Sequence, residues 1–392
     1  MRSMLISAIC LVGFFIYSWG GFSQTPQPSV QLTTIPAINQ VKPFEAETID
    51  SQSPVKFMLQ ALDAEGRPLE NAKIHLQILT PPQNHWFTTD FPIVEGTTLL
   101  DMEALAPKGE LQIQQMLPIR GAYKFQVDVT PTIPKAFQPI QQTLSLSVGE
   151  NGVKFLNFGI LAIILLIAGL GGGWIIGSGQ PIRSGEIAPQ PVRLLLSGLI
   201  VVSIAVLLFI NISAEFAQSH MSMAMSHMTE EVPTSAHPAK LQSQGIDIQL
   251  SGDLNATVGQ LAKFAVNVKD IKTQKPRTDV VLQVTTTQLE NNWVAFAYEG
   301  IPDSTGHLTW QQQFFDGAPH QIEVKVRSQT NSTRQLQALQ VGQTILVEGV
   351  APPLSVRLIS LTYFTAIVGV GLLLGLCFRR MRTRRVRSIA FQ

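Results

Sequence analysis

The stretch VKFMLQALDAEGRPLENAKIHLQIL, Val55 to Leu79, decides how this chain is read, because it occurs twice. Ala262 to Thr285 reads AKFAVNVKDIKTQKPRTDVVLQVT. Lys56-Phe57 matches Lys263-Phe264, Asp63 matches Asp270, and Pro68 matches Pro276 after one inserted residue. Further on, GELQIQQML (Gly109 to Leu117) echoes GHLTWQQQF (Gly306 to Phe314), and GAYKFQVDV from Gly121 echoes GAPHQIEVKV from Gly317. Markers that recur in the same order imply two copies of one module.

Within each copy, short runs alternate apolar and polar residues, the period of a half-buried strand. The first copy contributes VKFMLQAL, AKIHLQIL, LQIQQML, YKFQVDV and QTLSLSV; the second contributes KFAVNVKD, VVLQVTTTQ, WVAFAYEG, LTWQQQF, QIEVKV and QTILVEG. Asp63-Ala64-Glu65-Gly66-Arg67-Pro68 supplies turn chemistry between the first two. The expected fold is mainly β with transmembrane α: two immunoglobulin-like antiparallel β-sandwiches, over 29–149 and 244–349, plus three transmembrane helices.

The helices follow from composition. Only 14% of the 392 residues are charged, against a usual ~25%, and the deficit lies in long apolar runs. Residues 1–23 carry Arg2, an apolar core from Leu5 to Trp19 and the ending Gly21-Phe22-Ser23, the pattern of a signal peptide cleaved before Gln24. Phe155–Gly177 (155–177), Leu194–Ile212 (194–212) and Leu358–Phe378 (358–378) are long enough to span a bilayer. The 178–193 connection holds Arg183 and Arg193, and the 379–392 tail holds Arg379, Arg380, Arg382, Arg384, Arg385 and Arg387. Positive charge marks both as cytoplasmic, so both sandwiches face the other side, as in a multi-pass protein of a bacterial plasma membrane. The tail is read as a topology signal that attracts anionic lipid, and with a net charge of +1 no nucleic-acid partner is expected. Cys10 and Cys377 both lie in apolar runs, leaving the exported modules without a disulfide or thiolate site. AEFAQS (Ala214 to Ser219) resembles GGFSQT (Gly20 to Thr25), as if the middle span were the signal peptide of a fused second copy. Gly169, Gly173 and Gly177 recur on one face of the first span, and Gly371 and Gly375 on the last. Such glycines let helices approach closely, within one chain or between chains.

The order of strand, D-x-x-G-x-P-L-x-x-A, G-x-L and G-A-Y resembles the YtkA-like and FixH-like modules, and more broadly the CopC type of immunoglobulin-like sandwich. The matching residues are Asp63, Gly66, Pro68, Ala72, Gly109, Leu111, Gly121 and Tyr123, with Asp270, Pro276, Val280, Gly306, Leu308, Gly317 and His320 in the second copy. The resemblance implies an exported, membrane-tethered domain of a group linked to copper handling or oxidase assembly. The Met- and His-rich ligands of the CopC type have no counterpart within either module.

The chemically unusual segment lies in the 213–243 linker: His220, Met221, Met223, Met225, His227 and Met228, with four of the ten methionines inside eight residues. Thioethers favour Cu(I), and imidazole binds copper in either oxidation state. Methionine is also an adaptable apolar filler, so a juxtamembrane linker is the other reading. Elsewhere, His75 reads as a half-buried sheet residue and His85 as a loop anchor or part of a recognition surface. His307 and His320 read as too far apart along one hairpin to share an ion. No phosphate loop, nucleophile elbow or H-E-x-x-H is present, so no enzyme is expected. Two functions remain: Cu(I) handling by the Met/His segment with a partner such as an oxidase subunit or copper carrier, or a metal-independent binding scaffold.

Overall fold

The computed structural model describes residues 27–45, 52–84, 88–177, 189–198, 239–329 and 336–389. The first repeat forms β1 (Ser29–Ile35), β2 (Val55–Leu62), β3 (Ala72–Leu79), β4 (Thr98–Ala106), β5 (Glu110–Gln115), β6 (Gly121–Pro131) and β7 (Ile140–Val148). The second forms β8 (Ala239–Ser243), β9 (Ile246–Gly252), β10 (Asn255–Thr257), β11 (Leu261–Asp270), β12 (Val280–Gln288), β13 (Val294–Gly300), β14 (His307–Gln313), β15 (His320–Ser328) and β16 (Leu339–Glu348). In the first half, a β1-β2-β5 sheet faces a β7-β6-β3-β4 sheet; in the second, β9-β11-β14 faces β13-β12-β15-β16, with β8 and β10 added at the edges. Alternation does what the pattern predicts: in β2, Val55, Phe57, Leu59 and Ala61 point inward and are buried.

The two halves share both sheets. β5 pairs antiparallel with β13, placing Ile113 opposite Tyr298 and Gln115 opposite Phe296. β4 pairs antiparallel with β14, placing Met102 opposite Trp310 and Leu100 opposite Gln312. In the repeat, β5 corresponds to β14 and β4 to β13. The two junctions are therefore one junction related by a pseudo-two-fold axis, the isologous geometry of a symmetric dimer. Even a local irregularity is copied: the ladder slips between Ile78 and Leu79 on β3, and between Thr286 and Thr287 on β12. Pairing at the seam covers four strand edges that would otherwise present open N–H and C=O groups. The result is two eight-stranded sheets around one continuous core.

The shared motifs hold equivalent corners. Asp63 Oδ1 accepts from the Glu65 and Arg67 N–H groups, and Asp270 Oδ1 from those of Lys272 and Thr273. Pro68 bridges to Leu62, and Pro276 to Lys269. Gly109 and Gly306 both take positive φ, 67° and 76°. A β-carbon on Gly109 would stand 2.5 Å from the Leu69 carbonyl oxygen, and one on Gly306 2.6 Å from that of Val268. Gly306→Ala is thus expected to cost about 1–3 kcal/mol in strain, read as a lower thermal midpoint. An unchanged midpoint would mean that the corner can open without loss.

Two apolar helices follow equivalent strands: α1 (Gly152–Ile176) after β7 and α2 (Leu354–Ile389) after β16. Asn151 caps α1, its side-chain oxygen accepting from the Val153 N–H at 3.2 Å. Arg120–Glu150 and Lys154–Asp90 ion pairs tie its start to the first sandwich. Phe155, Leu156, Ile163, Ile164 and Ile167 are exposed along it, whereas Gly169, Gly172 and Gly173 are buried. A β-carbon on Gly169 would stand 3.1 Å from the Gly371 Cα and 3.0 Å from the Leu372 nitrogen; one on Gly371 would stand 3.2 Å from the Gly169 Cα and 3.1 Å from the Leu170 nitrogen. Gly173 and Gly375 repeat this reciprocity one turn on, against Leu372 with Leu376 and Leu170 with Trp174. The contacts advance in the same direction on both chains, so the helices run parallel, and they too are two-fold related. Gly177 lies farther out, 3.4 Å from the Leu376 side chain by the same measure.

Of the three expected spans, two are present among the described residues as helices long and apolar enough to cross a membrane. Residues 190–198 are helical, but the rest of the 194–212 run lies outside the described residues, as do residues 1–23. Ala239–Ser243 was read as linker, yet it forms β8, a hairpin with β9 closed at Gln244-Gly245, both with positive φ. α1 begins at Gly152 rather than Phe155, and α2 continues through the arginine run to Ile389. β1, β4, β9 and β10 were not anticipated. β4 escaped because Leu99 and Leu100 are both buried beside the bulge, which breaks the alternation.

Candidate functional site

The seam creates a groove on each outer sheet face, at positions related by the pseudo-two-fold. One, of about 500 Å³, lies over β2, β5, β13 and β12, with Lys56, Gln114, Gln283 and Ala297 in its wall. The other, of about 470 Å³, lies over β11, β14, β4 and β3, with Lys263, Gln311, His75 and Asp101. They differ in charge. His75 Nε2 lies 2.9 Å from Asp101 Oδ1, and its Nδ1 3.4 Å from Asp128 Oδ2. Partial burial pulls the imidazole pKa down, but the bonds to Asp101 and Asp128 outweigh it and leave it raised. Register places Gln283, Ala297 and Lys325 at the equivalent positions of the second half. The second sandwich therefore folds without this trio, of which His75 and Asp101 line one groove alone. His75 was seen in the sequence as a half-buried sheet residue, which it is; its partners were missed because Asp101 sits on the unrecognised β4.

At the end from which the helices leave, loops of the first half dock on the second. Phe44 lies 4.8 Å from Trp293 and 5.3 Å from Phe315 between ring centres, and Phe91 lies 5.2 Å from Phe315. Trp293 stacks on Phe315 at 5.3 Å and meets His320 edge-on at 5.8 Å. Half-buried beside them, Asp316 has its pKa raised by desolvation, against a bond from Gln288 Nε2 at 3.1 Å. Partial desolvation, and then the Asp316 charge, raise Glu290 on the exposed turn too.

His320 is explained by its position in the repeat. In the first half the equivalent residue is Tyr123, buried at the start of β6, whose hydroxyl donates to the Ile119 carbonyl at 2.7 Å. This is the tyrosine corner of immunoglobulin-like sandwiches. His320 occupies the same position with a shorter reach, its Nδ1 2.8 Å from the Ala318 carbonyl oxygen two residues back. Burial pushes its pKa down to about 4. Between pH ~6.5 and ~4 the unfolded chain takes a proton that the folded chain refuses, so this stability is lost on acidification, on the order of 3 kcal/mol by pH ~4. Asp316 and Glu290, raised instead, work in the opposite direction below their own raised values. His320→Tyr, which restores the first-half corner, is expected to flatten the decline in melting temperature from pH 6.5 to 4. An equally steep decline in the variant would assign the acid sensitivity elsewhere.

His220, Met221, Met223, Met225, His227 and Met228 lie outside the described residues, as does His85. His307 on β14 and His320 on β15 fall in different sheets and are not brought together. Among the described residues no group of three or more His, Cys, Asp or Glu side chains is arranged to hold a metal ion.

Comparison with protein-family models and with curated proteins gives no match. Among solved structures, a copper-bound variant of FetP from uropathogenic Escherichia coli aligns at 9% identity over 29% of this chain and 98% of its own, with a TM-score of 0.21. The adhesin InvE of Yersinia pseudotuberculosis aligns at 10% identity over 82% of this chain and 61% of its own, with a TM-score of 0.19. Invasin, a bacterial integrin-binding protein, aligns at 8% identity over 83% of this chain and 40% of its own, with a TM-score of 0.18. Overlaps at that level carry no argument, and the sandwich assignment rests on the strand pairing of this chain.

Proposed function

We propose that this protein is a non-catalytic, membrane-anchored platform that presents a rigid double sandwich on the exported face of a membrane, for binding or assembly of a partner there. The observation that carries the reading is the pairing of β4 with β14 and β5 with β13, which makes both sandwiches one body. α1 and α2 leave the same end of that body in parallel, apolar and exposed except along their glycine contact, as helices solvated by lipid are. A chain that crosses twice in the same direction crosses back once between, and the 194–212 run is the segment suited to that return. Arginines in 178–193 and 379–392 then lie in the cytoplasm. Affinity capture of the intact protein from solubilised membranes tests the platform reading. A stoichiometric exported or membrane protein that survives chelation supports it; recovery of the chain alone opposes it.

A second reading rests on the composition of His220 to Met228. The return crossing delivers this segment to β8, whose first residue Ala239 lies at the helix-bearing end of the sandwich, opposite Leu250. Four thioethers and two imidazoles beside the membrane would hold Cu(I) and pass it to a partner docked on the platform. Replacing Met221, Met223, Met225 and Met228 by Leu in the full-length protein is expected to weaken Cu(I) binding by at least about 10–100-fold, a loss that even outer-shell changes cause at metal sites. An anaerobic competition titration checks this. Unchanged affinity would leave the segment a linker.

A further inference from the structure

The pseudo-two-fold makes the seam comparable with the two seams the chain does not form, first half with first half and second with second. At β4–β14, Met102 faces Trp310; at β5–β13, Ile113 faces Tyr298. All four side chains point into the core and are at most 3% exposed. Met102 and Tyr298 occupy equivalent positions, as do Ile113 and Trp310. Each observed junction thus joins one large ring to one smaller chain. A first–first seam would set Met102 against Ile113 at both junctions and leave the space underfilled; a second–second seam would crowd Tyr298 against Trp310 twice.

The polar contacts discriminate in the same sense. Buried Gln313 donates from Nε2 to Thr97 Oγ1 at 2.8 Å and to the Gly259 carbonyl at 2.7 Å. Register makes Thr97 equivalent to Trp293 and Gln313 equivalent to Met116. A first–first seam would set Thr97 against Met116. A second–second seam would set Gln313 against Trp293, removing one partner of a buried amide, where an unmade bond is costly. The docked rings belong to this combination as well, since Phe44 and Phe91 of one half meet Trp293 and Phe315 of the other.

We infer that the seam is a heterospecific recognition surface: each half of this chain, a sandwich with its following helix, takes as its partner the opposite half and rejects a copy of itself. Two molecules of the protein pair through it only by exchanging opposite halves. Specificity of this kind needs a repulsive element as well as an attractive one, and the doubled Tyr298–Trp310 clash supplies it.

The test keeps every residue of the chain. A protease site is inserted in the 178–193 connection, and two full-length preparations are made with different tags on the N- and C-terminal parts. Both are cleaved, mixed in a denaturing detergent and returned to a mild one. The N-terminal part should recover the C-terminal part of the other preparation about ten-fold or more above either like pair, which corresponds to about 1.4 kcal/mol of discrimination. Equal recovery of like and unlike parts, or no recovery in any pairing, overturns the inference.

Discussion

Trp310→Ala is expected to lower the stability of the exported region by about 3–5 kcal/mol, the largest loss from any single truncation considered for this protein. Trp310 is 2% exposed, packs 5.4 Å from Phe264 and 6.5 Å from Phe296 between ring centres, and faces Met102 across the seam. Its removal opens a cavity where the two halves meet, and rigid backbones on both sides limit the collapse that would fill it. Because both sheets run through the seam, the first half should melt with the second, in one transition shifted as a whole. Thermal unfolding followed by scanning calorimetry reads both points. Two separated transitions, with only the later half of the chain destabilised, would show that the sandwiches fold independently and that the seam is a mere contact.

The second large effect is expected in the helix pair. At Gly173 a leucine would drive its β-carbon into the Leu372 carbonyl and to 3.0 Å from the Leu376 nitrogen, contacts with backbone that has no room to move. Gly173→Leu should therefore separate α1 from α2 and cost about 1–3 kcal/mol, the usual range for overpacking. Gly171→Leu is the control, since a β-carbon there meets nothing within 4 Å. Unfolding of the detergent-solubilised protein by increasing denaturing detergent should show an earlier midpoint for Gly173→Leu and little change for Gly171→Leu. Equal midpoints would mean that the helices are held by the sandwiches alone.

The site is only partly legible in the sequence, for a physical reason. Burial of a side chain such as His75 follows from its place in an alternating strand, which is local. Its contacts with Asp101, 26 residues on, and with Asp128, 53 residues on, depend on β3 lying between β4 and β6. His320 matches Tyr123 in the repeat, and its sequence position keeps it from sharing an ion with His307. Register places it at the position Tyr123 holds in the first half, where its Nδ1 bonds the Ala318 carbonyl and it serves the fold.

Residue order alone carried the duplication, the β class, the turns at Asp63 and Asp270 and the glycine faces of the helices, because each is set by neighbours within a few positions. Alternation needs only the pleat, an Asx turn only its own backbone, and a glycine face only the helical period. How the copies meet was decided by the tertiary structure. Nothing local distinguishes an edge strand that will face solvent from one that will pair with a strand 206 to 212 residues away, as Leu100 does with Gln312. That choice depends on shape and polar fit across the seam: Met102 with Trp310, Ile113 with Tyr298, Thr97 with Gln313. Those partners exist only once both halves have folded.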